Sequence, residues 1–446
     1  MKLWDNKDNL NQEIEKFTVG KDRELDLLLA KYDVLGSIAH VKMLQSVNLI
    51  AEEEFSALQS ELKHIYEDIQ NGKFCLDEDI EDIHSQIEIM LTHKLGEVGQ
   101  KIHAGRSRND QVLVDIRMYI REEIKNIVSE VHKLFDLLLK LSDKYKQAFL
   151  PGYTHMQIAM PSSFGLWFGA YAESLVDDLI LLKAAYQIVN KNPLGSAAGY
   201  GSSLPLNRQL TTEFLGFDKL NVNVVYAQMG RGKTEKIVSY AISLIAATLG
   251  KLSTDICLYM NQNFGFVSFP EELTTGSSIM PHKKNPDVFE LIRAKCNKLQ
   301  ALPTEINLVS SNLPSGYHRD FQILKENFLP SFTELRNCIK MAQLMLSKIK
   351  INEIHKDLDI YQKLFSVEAV NQLVQQGVPF RTAYRKIAKE IEEGNFTPPA
   401  DIHYSHEGSI GNLQNRQINE EMKKVVNTFN FEQVENALKE LVEGIN

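Results

Sequence analysis

The stretch best equipped for chemistry is Gly276-Ser277-Ser278-Ile279-Met280-Pro281-His282-Lys283-Lys284-Asn285-Pro286-Asp287. Its first part is small and flexible, as a mobile loop requires, and its second part is basic. Asn285-Pro286 then reads as a helix start, since Asn can cap and Pro is tolerated at the first helical position. Val288, Phe289, Leu291, Ile292, Cys296 and Leu299 follow at helical spacing. Two lysines and two serines are thereby delivered beside a helix N-terminus, where free N–H groups and the helix dipole favour an anion. Gly/Ser/Lys loops are common, so on composition alone a solvated basic loop before a helix is the leading reading.

Three other stretches carry comparable chemistry. In Gly105-Arg106-Ser107-Arg108-Asn109-Asp110-Gln111 two arginines could make forked bonds to carboxylates. The same string also reads as a capped helix start with Arg–Asp pairing on the surface. Pro151-Gly152-Tyr153-Thr154-His155-Met156-Gln157 places a histidine between a Gly turn and a helix start, ahead of Pro161. Such a group suits proton transfer near neutral pH, although a lone His more often has a structural role. Tyr317-His318-Arg319-Asp320-Phe321-Gln322, with Lys325, is a polar helix start. A fourth stretch, Ala227 to Thr234, satisfies a relaxed phosphate-loop pattern after Val222–Tyr226, the one strand-like run. A nucleotide switch through Lys233 would need repeated strand–helix alternation, which the chain lacks.

These strings carry a resemblance. Gly-Ser-Ser-x-Met-Pro-x-Lys-x-Asn resembles the signature loop of the fumarase/aspartase superfamily, whose members release fumarate by elimination. Lys101-Ile102-His103-Ala104 followed by Gly105–Val112 resembles the most distinctive motif of the argininosuccinate lyases, and Thr154-His155 matches their second conserved region. The resemblance implies reversible cleavage of argininosuccinate into arginine and fumarate, the last step of arginine biosynthesis, without metal or organic cofactor. It implies Ser277 as general base, Lys283 as stabiliser of a dianionic aci-carboxylate, and Glu290 as the partner that orients His155, which stands on the acid side. It assigns Ser107, Arg108, Asn109, Thr154, Asn285, Tyr317, Gln322 and Lys325 to substrate binding. It further implies a homotetramer whose active sites combine regions of different subunits. Two features depart from the pattern. Residues 227–234 lack the usual Asn-Ser and Asp-Arg-Asp, and His282 stands where Gln is common, Met-Pro-His-Lys being familiar in adenylosuccinate lyases. Adenylosuccinate lyase is the enzymatic alternative, and a structural protein of the lens δ-crystallin kind is the non-enzymatic one.

The elements that must position these groups are helical. Val112, Ile116, Ile120, Ile124, Ile127, Val131, Leu134, Leu138 and Leu141 recur every three or four residues without Gly or Pro, predicting one long helix over 112–145. Val128, Phe135 and Leu139 widen its stripe, so it should face more than one neighbour. Pro151-Gly152 is expected to stop it. Further long helices are expected over 162–190, 234–260, 286–310 (with Pro303 bending it) and 321–350, with a Gly/Ser loop over 192–206. Residues 12–101 read as several short helices, one face being Leu25, Leu28, Leu29 and Tyr32. The acidic piece Asp77–Asp79 with Glu81-Asp82 reads as a solvated helix start without calcium-loop spacing. The fold class is all-α, fumarase/aspartase-like: an N-terminal helical domain (1–107), a central long-helix bundle (108–355) and a small C-terminal helical domain (356–446). Stripes too broad for one chain's core suggest that the bundle continues across subunits.

Composition bounds the rest. With 446 residues the chain can bury a large core, and 43% apolar with 24% charged residues is ordinary for a soluble protein. A net charge of −9 argues against a nucleic-acid binder but leaves room for local basic sites. Four scattered cysteines without a Cys-x-x-Cys pair, three of them in apolar helical patterns, read as buried free thiols. Met1 to Lys16 shows no apolar signal region, and the longest apolar runs are far short of a membrane span, so a cytoplasmic location is expected.

Overall fold

The computed structural model describes residues 12–78, 80–356, 358–400 and 402–444. Asp79 of the acidic piece and residues 1–11 of the polar amino terminus lie outside them. The amino-terminal region holds α1 (Gln12–Val19), α2 (Asp22–Asp26), α3 (Ala30–Ser46), α4 (Glu52–Gln70), α5 (Ile83–Leu95) and α6 (Glu97–Gln100). Two of these are longer than the expected short helices, at 17 residues for α3 and 19 for α4. Leu29 and Tyr32 are buried as expected, but Leu28 is turned outward.

The predicted long helices are present. They are α7 (Arg108–Lys144), α8 (Phe164–Val189), α11 (Lys233–Met260), α12 (Asp287–Val309) and α13 (Leu324–Ser347), with α9 (Arg208–Phe214) and α10 (Val224–Met229) between α8 and α11. Every position of the predicted α7 stripe is buried, and α7 packs against α8, α13 and α3, the several neighbours its breadth required. Two buried arginines fix it to the end of α8. Arg117 donates to the carbonyl of Lys191 (2.9 Å), and Arg121 donates to Asn190 Oδ1 (3.1 Å) and the carbonyl of Leu215 (2.9 Å). Arg117 thereby satisfies a carbonyl just past the end of α8, and Arg121 one at the end of α9. Pro303 lies inside α12 without ending it, and α13 follows a short 3-10 turn, Arg319–Gln322.

Several local expectations need correction. Val222–Tyr226 is not a strand: Asn223 accepts from the Tyr226 N–H (2.9 Å) and caps α10, so a β-branched run is recruited into a helix by its cap. The phosphate-loop context therefore fails, because a helix, α10, and not a strand leads into residues 227–234. Pro151-Gly152 does not stop α7, which ends at Lys144. Instead it lies in an antiparallel hairpin, β1 (Phe149–Thr154) with β2 (Gln157–Ser163). One helix, α11, is long and apolar enough to cross a membrane, contrary to the reading of short apolar runs, but 61% of its apolar window is buried inside the bundle, as a core helix would be. Of the cysteines, Cys296 and Cys338 are buried, Cys257 is half-buried and Cys75 is exposed, all as free thiols.

Beyond the bundle come α14 (Asp359–Gln362), α15 (Ser366–Gln375), α16 (Phe380–Glu392), α17 (Asn415–Asn427) and α18 (Phe431–Glu443). Ala369, Val370, Ala383 and Ile387 of α15 and α16 form a small core of their own. Met422, Phe429 and Leu441 join the main core, because α17 packs on α8 and α18 on α3.

Candidate functional site

The predicted residues gather at two ends of the bundle. At one end α7 begins. Ser107 caps it, accepting from the Asn109 N–H (3.3 Å), while its own N–H donates to Asp110 Oδ1 (2.8 Å), which closes a reciprocal cap. Asp110 Oδ2 accepts from the N–H groups of Gly195 and Ala197 (both 2.9 Å), which draws the 192–206 loop over the corner. Burial pushes the Asp110 carboxyl up to about 6, against the pull of these donors and of Arg106.

Arg108 is held by the element before it. Its Nη1 lies 2.8 Å from Asp82 Oδ2, and its Nη2 donates to Ser85 Oγ. Asp82 is therefore not part of a solvated start: it is buried, and it also caps α5 by accepting from the Ser85 N–H (2.8 Å). Neighbouring Glu81 pairs with Arg319 (2.6 Å). Gln322 donates to the carbonyls of Thr18 (2.9 Å) and Val19 (3.0 Å), pinning the exit of α1. Lys325 is buried between Asp22 and Asp26, with Asp26 Oδ1 at 2.7 Å. Burial alone would lower its ammonium, but Asp26 and Asp22 outweigh that and raise it. Tyr317 is half-buried against Phe321. A cleft of about 730 Å³ opens here, lined by Arg106, Ser107, Arg108, Asn109 and Gln111 together with His84.

His84 was not foreseen. It sits with Asp33 and Asp115 in a fully buried cluster under the cleft: His84 Nδ1 is 2.7 Å from Asp33 Oδ1 and 3.7 Å from Asp115 Oδ2. Burial opposes its charge, but Asp33 and Asp115 overcome that and raise the imidazolium to about 10. Asp115 is held well above the carboxylate range by burial and by the facing Asp33. The cluster thus reads as a proton-sharing network, with Arg106 close enough to act on both aspartates. The available signal was a pair of aspartates on buried helix faces, Asp33 in α3 and Asp115 in α7.

The other end holds the chemistry-bearing turn and loop. His155 and Met156 form the two-residue turn of the β1–β2 hairpin, both with positive φ (53° and 60°), so His155 stands at a hairpin tip and not before a helix. Tyr153 packs edge-on against Phe264, which sets the hairpin beside the exit of α11. Thr154 and His155 are exposed. The 276–286 loop leaves the same end. Asn285 does not cap α12. Its N–H donates to the Thr275 carbonyl (2.9 Å) and its side chain to Thr275 Oγ1 and the Gly276 carbonyl (both 3.3 Å), so it ties the two stems of the loop together. Pro286 precedes the helix, which begins at Asp287. Ser277 Oγ accepts from the N–H groups of Ile279 (3.3 Å) and Met280 (3.2 Å), which leaves its hydroxyl proton uncommitted to them. Lys283 and Glu290 are exposed, and among the described residues no hydrogen bond or ion pair within the chain joins Glu290 to His155.

The two ends are far apart. The 37 residues of α7 span about 55 Å at 1.5 Å per residue, with the Arg108 corner at its start and the hairpin after its finish. One chain therefore presents two separate groups of candidate residues, one rich in fixed cations and amides, the other carrying the hydroxyl, the imidazole and an exposed lysine.

Comparison with known proteins adds a family. A family profile described as Lyase matches residues 8–301. The chain is 58% identical over 443 residues to the argininosuccinate lyase of Parabacteroides distasonis, covering 99% of both chains. It is 38% identical to that of Thermotoga neapolitana over 389 residues, covering 87% of this chain and 98% of the relative. Among solved structures, an EDDS lyase in complex with formate superposes with a TM-score of 0.72 at 20% identity, covering 96% of this chain and 94% of that one. A fumarate lyase:delta crystallin from Brucella melitensis bound to cobalt gives 0.69 at 16% identity, covering 95% and 92%. These two bear on the fold alone.

Proposed function

The chain belongs to the argininosuccinate lyases of the fumarase/aspartase superfamily, and from that premise we propose how its residues release fumarate from argininosuccinate to leave arginine. The observation that carries the reading is near-complete coverage at 58% identity with an argininosuccinate lyase, joined to intact Ser277, Lys283 and His155 in loop and turn.

Ser277 removes a proton from the carbon next to a substrate carboxylate. An alcohol is too weak an acid to be deprotonated unaided, so the loop must close, exclude water and bring positive charge to it. Lys283 holds the carboxylate on which the electron pair comes to rest, and Asn285 adds a hydrogen bond. The C–N bond then breaks as the C=C bond of fumarate forms, and the guanidino nitrogen leaves protonated, with His155 supplying the acid side. Glu290 fixes the His155 ring across a subunit boundary. Ser107, Arg108, Asn109, Thr154, Tyr317, Gln322 and Lys325 hold the remaining polar groups.

This scheme needs both half-sites at one place, so we assign the enzyme a homotetramer whose active sites are shared between subunits. Support comes from the roughly 55 Å that α7 puts between them. It comes also from large apolar side chains left exposed on bundle helices: Ile180 and Leu181 of α8, Tyr240 and Leu244 of α11, Leu291 and Leu308 of α12. We place its work in arginine biosynthesis in the cytoplasm. The test is fumarate release, followed by ultraviolet absorbance, from argininosuccinate and adenylosuccinate in parallel. Release from argininosuccinate alone is expected, and release only from adenylosuccinate overturns the reading.

A further inference from the structure

The departure at residues 227–234 has a place in the fold that the lyase reaction does not use. A pocket of about 430 Å³ lies between the start of α11, the last turn of α12 and the 310–316 segment. It shares no lining residue with the Arg108 cleft. Arg231, Lys233 and Lys236 line it, together with Asn307, Ser310 and Ser311, and no carboxylate does. In a chain of net charge −9 that is an unusual local balance.

The cations are only partly satisfied. Arg231 is 4% exposed. Its Nε lies 2.7 Å from Glu235 Oε1 and its Nη2 donates to the Phe321 carbonyl (3.1 Å), while Nη1 has no hydrogen-bond partner among the described residues. Glu235 is also engaged by the Gly232 N–H (2.8 Å), so its charge is spread over the loop as well as the arginine. Lys236 donates to the neutral Asn307 Oδ1 (2.5 Å), and Lys233 reaches only the Tyr226 hydroxyl (3.4 Å) and ring face. Among the described residues neither lysine has a carboxylate within ion-pair distance.

The backbone is shaped to present them. Gly232 has φ +76°, and a Cβ there would lie 2.8 Å from Ser310 Cβ, so only glycine lets the loop close on α12. Ile237, Leu313, Pro314 and Phe321 supply apolar wall, which strengthens an ionic contact made inside.

We propose that this pocket binds a compact oxyanion, carboxylate or phosphate, at a second site distinct from the fumarate-releasing one. Arg231 and Lys236 form its floor and Lys233 its rim. The 310–316 segment that walls it runs on into Tyr317 and Gln322, so an occupant braces the substrate-holding end from behind.

The experiment is calorimetric titration of the assembled enzyme with inorganic phosphate and, separately, with fumarate, for the wild type and for the Lys233→Ala/Lys236→Ala pair. The wild type is expected to bind one anion per chain at this pocket, and the double variant to bind it about tenfold more weakly or worse while still releasing fumarate. Loss of phosphate binding alone assigns phosphate. Loss of a second fumarate per chain, beyond the catalytic one, assigns a dicarboxylate, and loss of both assigns the shared oxyanion chemistry. No binding of either probe, or unchanged binding in the double variant, overturns the proposal. The readout is binding, so an enzyme that failed to cleave argininosuccinate would still report on the pocket.

Discussion

The two ends of the bundle are built on opposite principles. Where α7 begins, the charged and amide side chains are held in pairs: Arg108 has Asp82, Lys325 has Asp22 and Asp26, Gln322 has two carbonyls, and a buried His84–Asp33–Asp115 network lies beneath. Where the hairpin and the 276–286 loop emerge, Thr154, His155, Lys283 and Glu290 stand exposed, and Ser277 is engaged only by its own loop. Rigid pairing suits groups that must recognise a ligand repeatedly in one geometry, and loose loops suit groups that must arrive after the ligand does. On the mechanism proposed above the contrast separates holding from reacting, and each variant below tests one side of it.

The largest effect is expected at the reacting end. Ser277→Ala should lower turnover by about a thousandfold while leaving the assembly intact, because the change is small and lies in a loop. Near-normal fumarate release from that variant removes the base assignment. Next comes a mixing experiment. Arg108→Ala chains and Ser277→Ala chains, each poorly active alone, should regain part of the wild-type activity when co-assembled, since some sites then combine an intact corner with an intact loop. No recovery in verified mixed tetramers counts against shared sites. His155→Asn, which keeps a residue able to tolerate positive φ, should slow turnover by about a hundredfold and flatten one limb of the pH–rate profile; an unchanged profile argues against a proton-transfer role.

At the holding end the effects should fall on stability. Asp82→Ala removes both the cap of α5 and the partner of Arg108, and should lower unfolding free energy by about 2 kcal/mol, measured by denaturant titration. Asp82→Asn keeps the cap and should lose less. The last test at this end concerns His84. Its folded-state pKa is raised to about 10, above the ordinary histidine value, so its contribution is fully present below pH 6.5 and is lost as pH rises through about 10. Melting temperature should therefore decline across that window, and His84→Gln should flatten the decline. Parallel curves for both proteins would show that the network carries no linked proton.

The same contrast explains what could be read in the sequence. The long helices were legible because their apolar positions repeat over many turns, in α7 without a single Gly or Pro. The hairpin was not, because Pro151-Gly152 reads as a helix stop and His155-Met156 is not the Asn-Gly kind of turn that announces a two-residue loop. Val222–Tyr226 was misread because one capping side chain, Asn223, outweighs a β-branched run. Motif strings marked the candidate residues at both ends, yet they could not tell that Asp82 and Lys325 are buried in pairs. Nor could they find Asp33, His84 and Asp115, whose partnership exists only once α3, α5 and α7 are packed together.

The hairpin tip has a further consequence. Both turn residues occupy a backbone region that side chains other than glycine's enter at a cost of about 1 kcal/mol each. Met156→Gly should relieve that tension and firm up the hairpin, so the tip holds a margin of robustness that the present side chain leaves unused.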